Sequence, residues 1–160
     1  MKNKKFNFWV FIICLLIVFL IVGGIGSIFT SSNTNTDWYS SIKPSLTPPN
    51  WVFPVVWNFL FLLITFSLYF AWTNSKNKEQ KKKVALVFGI NFILNILWSV
   101  LFFGLKQTQI AFIEIILFGF SILAMMLITK NISKKSSWLL FPYLLWVAFA
   151  SVLNYLAAFS

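Results

Sequence analysis

VALVFGINFILNILWSVLFFGL, residues 84–105, carries no charge and lies between Lys81, Lys82 and Lys83 on one side and Lys106 on the other. At 1.5 Å per residue a helix of this length reaches about 33 Å, enough for a hydrocarbon core of roughly 30 Å. Its two asparagines, Asn91 and Asn95, and Trp98 follow an i, i+4, i+7 spacing that puts all three on one helical face. Asn is costly in lipid, so that face must turn toward protein. A helix of this kind needs neighbours.

Four further runs supply them: residues 6–29, 51–73, 110–129 and 138–159 are apolar over comparable lengths, and only 110–129 contains a charge, Glu114. Open sheets and irregular segments cannot cross lipid with their backbone groups unsatisfied, so each run is expected to be a helix. The sequence thus predicts an all-α membrane protein, a single domain over 1–160 built as a five-transmembrane-helix bundle. Composition agrees: 59% of the 160 residues are hydrophobic and 10% charged, with a mean hydropathy of +0.85. Soluble domains carry about 25% charged residues.

The net charge of +10 comes from 13 lysines without arginine. They fall in short clusters between the apolar runs, the pattern of membrane topology rather than a nucleic-acid-binding stripe, and no nucleic-acid partner is expected. If all five runs span, Lys2, Lys4, Lys5, Lys76, Lys78, Lys81, Lys82, Lys83, Lys130, Lys134 and Lys135 share one side, against Lys43 and Lys106 on the other. Eleven against two predicts the N-terminus inside and the C-terminus outside. The first run also resembles a signal peptide, but it exceeds the h-region length and lacks a clean A-x-A site, so an uncleaved helix is expected. Its Gly23, Gly24, Gly26 and Ser27 suit close helix packing.

The single Cys14 excludes an intramolecular disulfide, and the absence of His excludes His-ligated metals, His bases and the commonest haem ligand. Asp37, Glu79 and Glu114 are too few for a carboxylate cage, so no metal site and no required cofactor are expected. What remains is aromatic, amide and hydroxyl chemistry, which suits binding. Glu114, about one turn inside the outer end of its helix, is expected to reach water in a structural or interfacial role.

Thr30–Asn50 is the long connection. Thr30–Thr36 reads as flexible, whereas Asp37–Asn50 holds Trp38, Tyr39, Lys43, Pro44, Pro48 and Pro49, and proline lowers the ordering entropy of a loop. This segment fits either a rigid lid over the bundle or a stretch of interfacial aromatic anchors.

Trp9, Trp51, Trp72 and Trp138 lie near run ends, as an aromatic belt requires. Trp57, Trp98 and Trp146 lie further in. On the fifth run Pro142, Trp146, Ala150 and Asn154 recur every four residues, with Pro142 expected to kink the helix and Ala150 to leave room beside Trp146. Pro54, Trp57 and Phe61 form a similar stripe on the second. Interhelical hydrogen-bond glue, worth about 0.6 kcal/mol per pair, accounts for an isolated Asn. Flat indoles, amides and a small residue on three facing stripes suit a pocket for a large, planar, mostly apolar ligand.

Three ordered motifs carry a resemblance from about Gly23 onward: Trp38-Tyr39, Lys43-Pro44-Ser45, Pro48-Pro49, Trp51 and Pro54-Val55-Val56-Trp57; then Leu94-Asn95, Trp98-Ser99 and Phe102-Phe103-Gly104; then Leu140, Pro142-Tyr143, Trp146, Phe149-Ala150 and Leu153-Asn154. Together they resemble the TspO/MBR family of tryptophan-rich sensory proteins, which includes the animal translocator proteins or peripheral-type benzodiazepine receptors. The resemblance implies a five-helix bundle, often a homodimer, in a bacterial cell membrane, with a cavity closed by the first outer loop. It implies tetrapyrrole ligands such as protoporphyrin IX, sterols in animal forms, and benzodiazepine-type compounds. Carried over, the pocket takes in Tyr39, Trp57, Asn91, Asn95, Trp98, Trp146 and Ala150, with Trp38, Lys43, Pro44, Pro48 and Pro49 in the lid. Some bacterial members resemble light-dependent porphyrin-degrading proteins, for which Trp57 and Trp146 are the implied catalytic aromatics. A porphyrin or lipid transporter is the other alternative, although no internal repeat supports it.

Three positions depart from the family pattern. Leu46 stands where the lid usually has Trp, Asn91 stands where Gln is often found, and no basic residue follows Tyr155 to complete the animal cholesterol-recognition segment.

Overall fold

A computed structural model describes residues 6–159. Among them there are no strands, and five helices are long and apolar enough to cross a membrane. We label the helices α1 (Phe8–Ser31), α2 (Asp37–Ile42), α3 (Val52–Asn74), α4 (Lys78–Gly104), α5 (Thr108–Lys130) and α6 (Lys134–Phe159). Lys2, Lys4 and Lys5, which contribute to the expected orientation, lie outside the described residues.

Helix ends differ from the apolar runs because hydropathy marks the lipid-embedded part, while capping marks the helix. α4 starts six residues before the run, where Asn77 Oδ1 accepts from the Gln80 N–H at 2.9 Å and Lys83 pairs with Glu79 at 2.9 Å. α6 starts at Lys134 because Ser133 Oγ accepts from the Ser136 N–H. α6 is broken at Leu140. Pro142 lacks the N–H that would bond to Trp138 and disfavours helical geometry in the residue before it, which places the break where the sequence led us to expect a kink.

α5 is the central helix and packs along both α4 and α6. Its inward face (Ile115, Phe118, Ile122 and Met125) is almost completely buried. α3 is fastened to the start of α6 by two small residues: Ser67 Oγ donates to the Ser136 carbonyl at 2.9 Å and Ser136 Oγ to the Ser67 carbonyl at 2.7 Å. Small hydroxyl residues allow this backbone approach inside lipid. α1 is peripheral, with 17% of its most apolar window buried against 28–39% for the others. It touches α3 and α4 and widens into π-helical turns at Ile17–Gly23. α4 ends in a similar wide turn at Val100–Gly104, where the Leu105 N–H reaches the Val100 carbonyl at 2.8 Å.

The segment between α1 and α3 holds the short helix α2. Thr36 Oγ1 accepts from the Tyr39 N–H and so caps α2. Tyr39 is buried, 5.6 Å from Phe103, and Trp38 meets the edge of Phe102 at 6.0 Å. Tyr39 is therefore part of the protein interior and not an anchor among headgroups. The Thr47 N–H closes a turn on the Pro44 carbonyl at 3.0 Å, and the Pro49 carbonyl accepts from the first N–H of α3 at 2.9 Å.

Candidate functional site

Asn91 and Asn95 of α4 enter one connected network. Asn95 Nδ2 donates to the Tyr143 hydroxyl at 3.2 Å, and that hydroxyl donates to Asn91 Oδ1 at 3.0 Å. Asn91 Nδ2 donates to Ser121 Oγ at 2.8 Å, and Ser121 Oγ ends on the Phe118 carbonyl at 2.7 Å. Five groups from α4, α5 and α6 are thereby joined. Asn91 and Tyr143 are fully buried with their side-chain polar atoms partnered. Nearer the α2 end, Trp98 Nε1 donates to Asn154 Oδ1 at 2.9 Å, and Asn154 Nδ2 donates to the Thr108 carbonyl at 2.8 Å. These bonds hold the frame.

Beside this frame lies a cavity of about 590 Å³. Trp57 from α3, Asn95 and Trp98 from α4, and Trp146 and Ala150 from α6 line it, as do Tyr39 and Pro44 from the first connection. Of the expected pocket residues only Asn91 is missing from the lining, because Tyr143 and Ser121 take up its amide. Among the expected lid residues, Trp38, Lys43, Pro48 and Pro49 also lie outside the lining. The Pro49 carbonyl accepts from the first N–H of α3, and Lys43 Nζ donates to Asn50 Oδ1 at 2.9 Å. Asn50 itself lines the cavity. Leu46 is 55% exposed and also stands outside it.

The indoles differ in what they offer. Trp98 is stacked on Phe102 at 5.2 Å and its N–H is taken by Asn154. Trp57 meets Tyr143 edge-on at 6.2 Å and Trp146 meets Phe53 edge-on at 5.8 Å. Among the described residues neither indole N–H of this pair has a partner, and the Asn95 carbonyl oxygen has none either. A cavity with aromatic faces and a few unmatched polar atoms suits a planar apolar molecule bearing some hydrogen-bonding groups. Burial pushes the Tyr39 phenol above its ordinary value, so it is a neutral donor at physiological pH. No group of three His, Cys, Asp or Glu side chains that could hold a metal occurs among the described residues.

Sequence reasoning missed the α1 wall, where Phe19, Gly23, Gly26 and Ser27 line the cavity. A Cβ on Gly23 would stand 2.8 Å from the Phe61 ring, and one on Gly26 would stand 3.5 Å from Ser99 Oγ. Of the glycines expected to pack closely, Gly23 does so, along the cavity wall, while Gly24 and Gly26 meet ordinary contacts. Glu114 needs correction. It is 5% exposed, and neither carboxyl oxygen has a partner. α5 begins at Thr108 and is enclosed by α4 and α6, so the side chain lies deeper than one turn and does not reach water.

The chain matches the model of the TspO/MBR family over residues 14–159. It is 37% identical to "Tryptophan-rich protein TspO" of Archaeoglobus fulgidus over 145 residues, covering 90% of this chain and 92% of the relative. It is 32% identical to the human "Translocator protein" over 120 residues, covering 74% and 71% respectively. With "Protein CrtK" of Rhodobacter capsulatus it shares 30% identity over 134 residues, 83% and 81% of the two chains. Its five membrane-length helices make it an integral, multi-pass membrane protein. On the match of nearly its whole length, the chain belongs to the TspO/MBR family.

Proposed function

We propose that this protein binds tetrapyrroles such as protoporphyrin IX, and benzodiazepine-type compounds, as a membrane-embedded sensory protein. The observation that carries the proposal is the convergence of Trp57, Trp98, Trp146 and Asn95 from three spans on one cavity. Its volume of about 590 Å³ falls within the roughly 300–1,000 Å³ range of small-molecule sites. The ring system lies between the faces of Trp57 and Trp146. Their N–H groups and the Asn95 carbonyl meet its polar atoms, with Ala150 making room. The connection holding Tyr39 and Pro44 acts as the lid. The N-terminus is inside, the C-terminus and lid outside, in a bacterial cell membrane, and two copies form a homodimer.

Binding rests on stacking and hydrogen bonding, since the chain has no His to ligate haem iron. Metal-free protoporphyrin IX is therefore expected to bind at least as tightly as haem. The test is a titration of the purified protein with protoporphyrin IX, followed by Trp fluorescence. Saturable quenching that weakens in Trp146→Phe and Asn95→Leu supports the assignment, and equal quenching in all three proteins removes it. The lining position of both Trp57 and Trp146 also favours a second reading, photo-oxidation of the bound ring by indole electron transfer. Illumination of the complex separates the two. Bleaching of the porphyrin bands no faster than in detergent alone rejects turnover and leaves binding intact.

A further inference from the structure

The turn that joins α4 to α5 holds an unusual backbone conformation. Among the described residues Lys106 alone has a positive φ, 56°. This left-handed region just past a helix is ordinarily taken by Gly, and a residue with a Cβ stays there only where its surroundings hold it. The turn is closed around it: the Leu105 N–H reaches the Val100 carbonyl at 2.8 Å and the Gln107 N–H the Leu101 carbonyl at 2.9 Å. Among the described residues Lys106 forms no ion pair. Its Nζ lies instead 5.3 Å from the centre of the Trp38 ring. Trp38 belongs to α2, a helix of 6 residues that is too short to stand without outside contacts. The next residue, Tyr39, lines the cavity, and Trp38 does not. Both rings rest on the wide turn that ends α4, Trp38 on Phe102 and Tyr39 on Phe103. The other lysine near this helix, Lys43, directly follows it and reaches Tyr39 from within the same connection, so it moves with the lid. Lys106 reaches across to the lid from the bundle.

We propose that Lys106 is a latch: its ammonium group clamps the Trp38 ring, keeps α2 shut against the end of α4, and so sets how fast a ligand leaves the cavity. The inference rests on the reading of this connection as a lid. Gly would adopt the turn without steric cost, so the lysine side chain stands against the local backbone preference. The contact that offsets the strain is the attraction of a cation to the face of an indole. Lys106 is exposed, which keeps that attraction modest. It is strong enough to bias the lid toward closure and weak enough to let it open. Lys106 touches no ligand and acts through Trp38, which makes it a positioning residue.

The experiment measures amide hydrogen exchange in α2 of the ligand-free full chain in nanodiscs, followed by the dissociation rate of protoporphyrin IX. Lys106→Gly removes the clamp and relieves the backbone at once, so the two effects have opposite signs. Exchange across Asp37–Ile42 should quicken about two- to fivefold, the size of an exposed cation–π contact, while the melting temperature stays level or rises. Protoporphyrin IX should dissociate faster by a similar factor. Lys106→Gln, which loses the charge and keeps the strained backbone, should match the glycine variant in exchange but not in stability. Lys106→Arg should behave as wild type in both. Exchange in α2 that is unchanged in the Gly and Gln variants overturns the latch. So does a Lys106→Gly protein with a lowered melting temperature and faster exchange along α4 and α5, since that marks a role in the fold of the turn. If wild type binds no protoporphyrin IX saturably, the cavity reading fails and the control of ligand release with it, while the α2 exchange rates still decide whether the clamp exists.

Discussion

Replacing Tyr143 with Phe removes one oxygen from a fully buried position and leaves the ring in place. That oxygen accepts from Asn95 Nδ2 at 3.2 Å and donates to Asn91 Oδ1 at 3.0 Å, so two bonds are lost and two amides lose a partner. Interhelical hydrogen bonds within lipid average about 0.6 kcal/mol and reach about 1.7, so two such bonds give a loss of about 1–3 kcal/mol. For a chain of this size that corresponds to a melting temperature lowered by roughly 2–10 °C. The assay is thermal unfolding in a mild detergent, run as a double-mutant cycle with Asn91→Leu. Removing both partners should cost less than the sum of the single changes, because an unpartnered buried amide is the main penalty. The geometry also predicts a split in function. Asn91 lies outside the cavity lining and Asn95 within it, so ligand affinity should respond more to Asn95→Leu than to Asn91→Leu. A Tyr143→Phe protein as stable as wild type, or strictly additive effects in the cycle, would refute the network as a source of stability.

Other consequences are as direct. Gly23→Ala places a methyl 2.8 Å from the Phe61 ring, which must then move; a stability loss of about 1–3 kcal/mol, relieved by Phe61→Leu, is expected by thermal unfolding. Ala150→Phe fills the space beside Trp146, and a titration should show porphyrin affinity falling at least about tenfold with stability nearly unchanged. In a Cys14→Ser background, Ser45→Cys should react with a membrane-impermeant maleimide on intact cells while Ser75→Cys reacts only after lysis. The opposite pattern would invert the proposed topology.

How much of this was legible before the fold depended on which physical signal each feature leaves. Five spans were readable because crossing lipid demands length and apolarity together, and each run showed both. The ends of α4 and α6 were not, because Asn77 and Ser133 start helices from polar residues that hydropathy ignores. The periodicity of Asn91, Asn95 and Trp98 placed them on one face, and that face does turn inward. Periodicity could not tell which amide keeps a free atom, since the register against α5 and α6 decides that Tyr143 takes the Asn91 oxygen and Ser121 its nitrogen. The α1 wall left no signal because that helix is apolar on every side, so its glycines suggested close packing without a direction. Glu114 misled for a related reason. Depth was judged from its distance to the end of the run, whereas enclosure by α4 and α6 determines its access to water.

In the proposed complex, indoles from separate spans face a common ligand. A structure of the protein with protoporphyrin IX bound tests it most directly. Ring density is expected between Trp57 and Trp146, beneath Tyr39, within contact of Asn95. Density on an outer, lipid-facing surface, with that space still empty or closed, would contradict it.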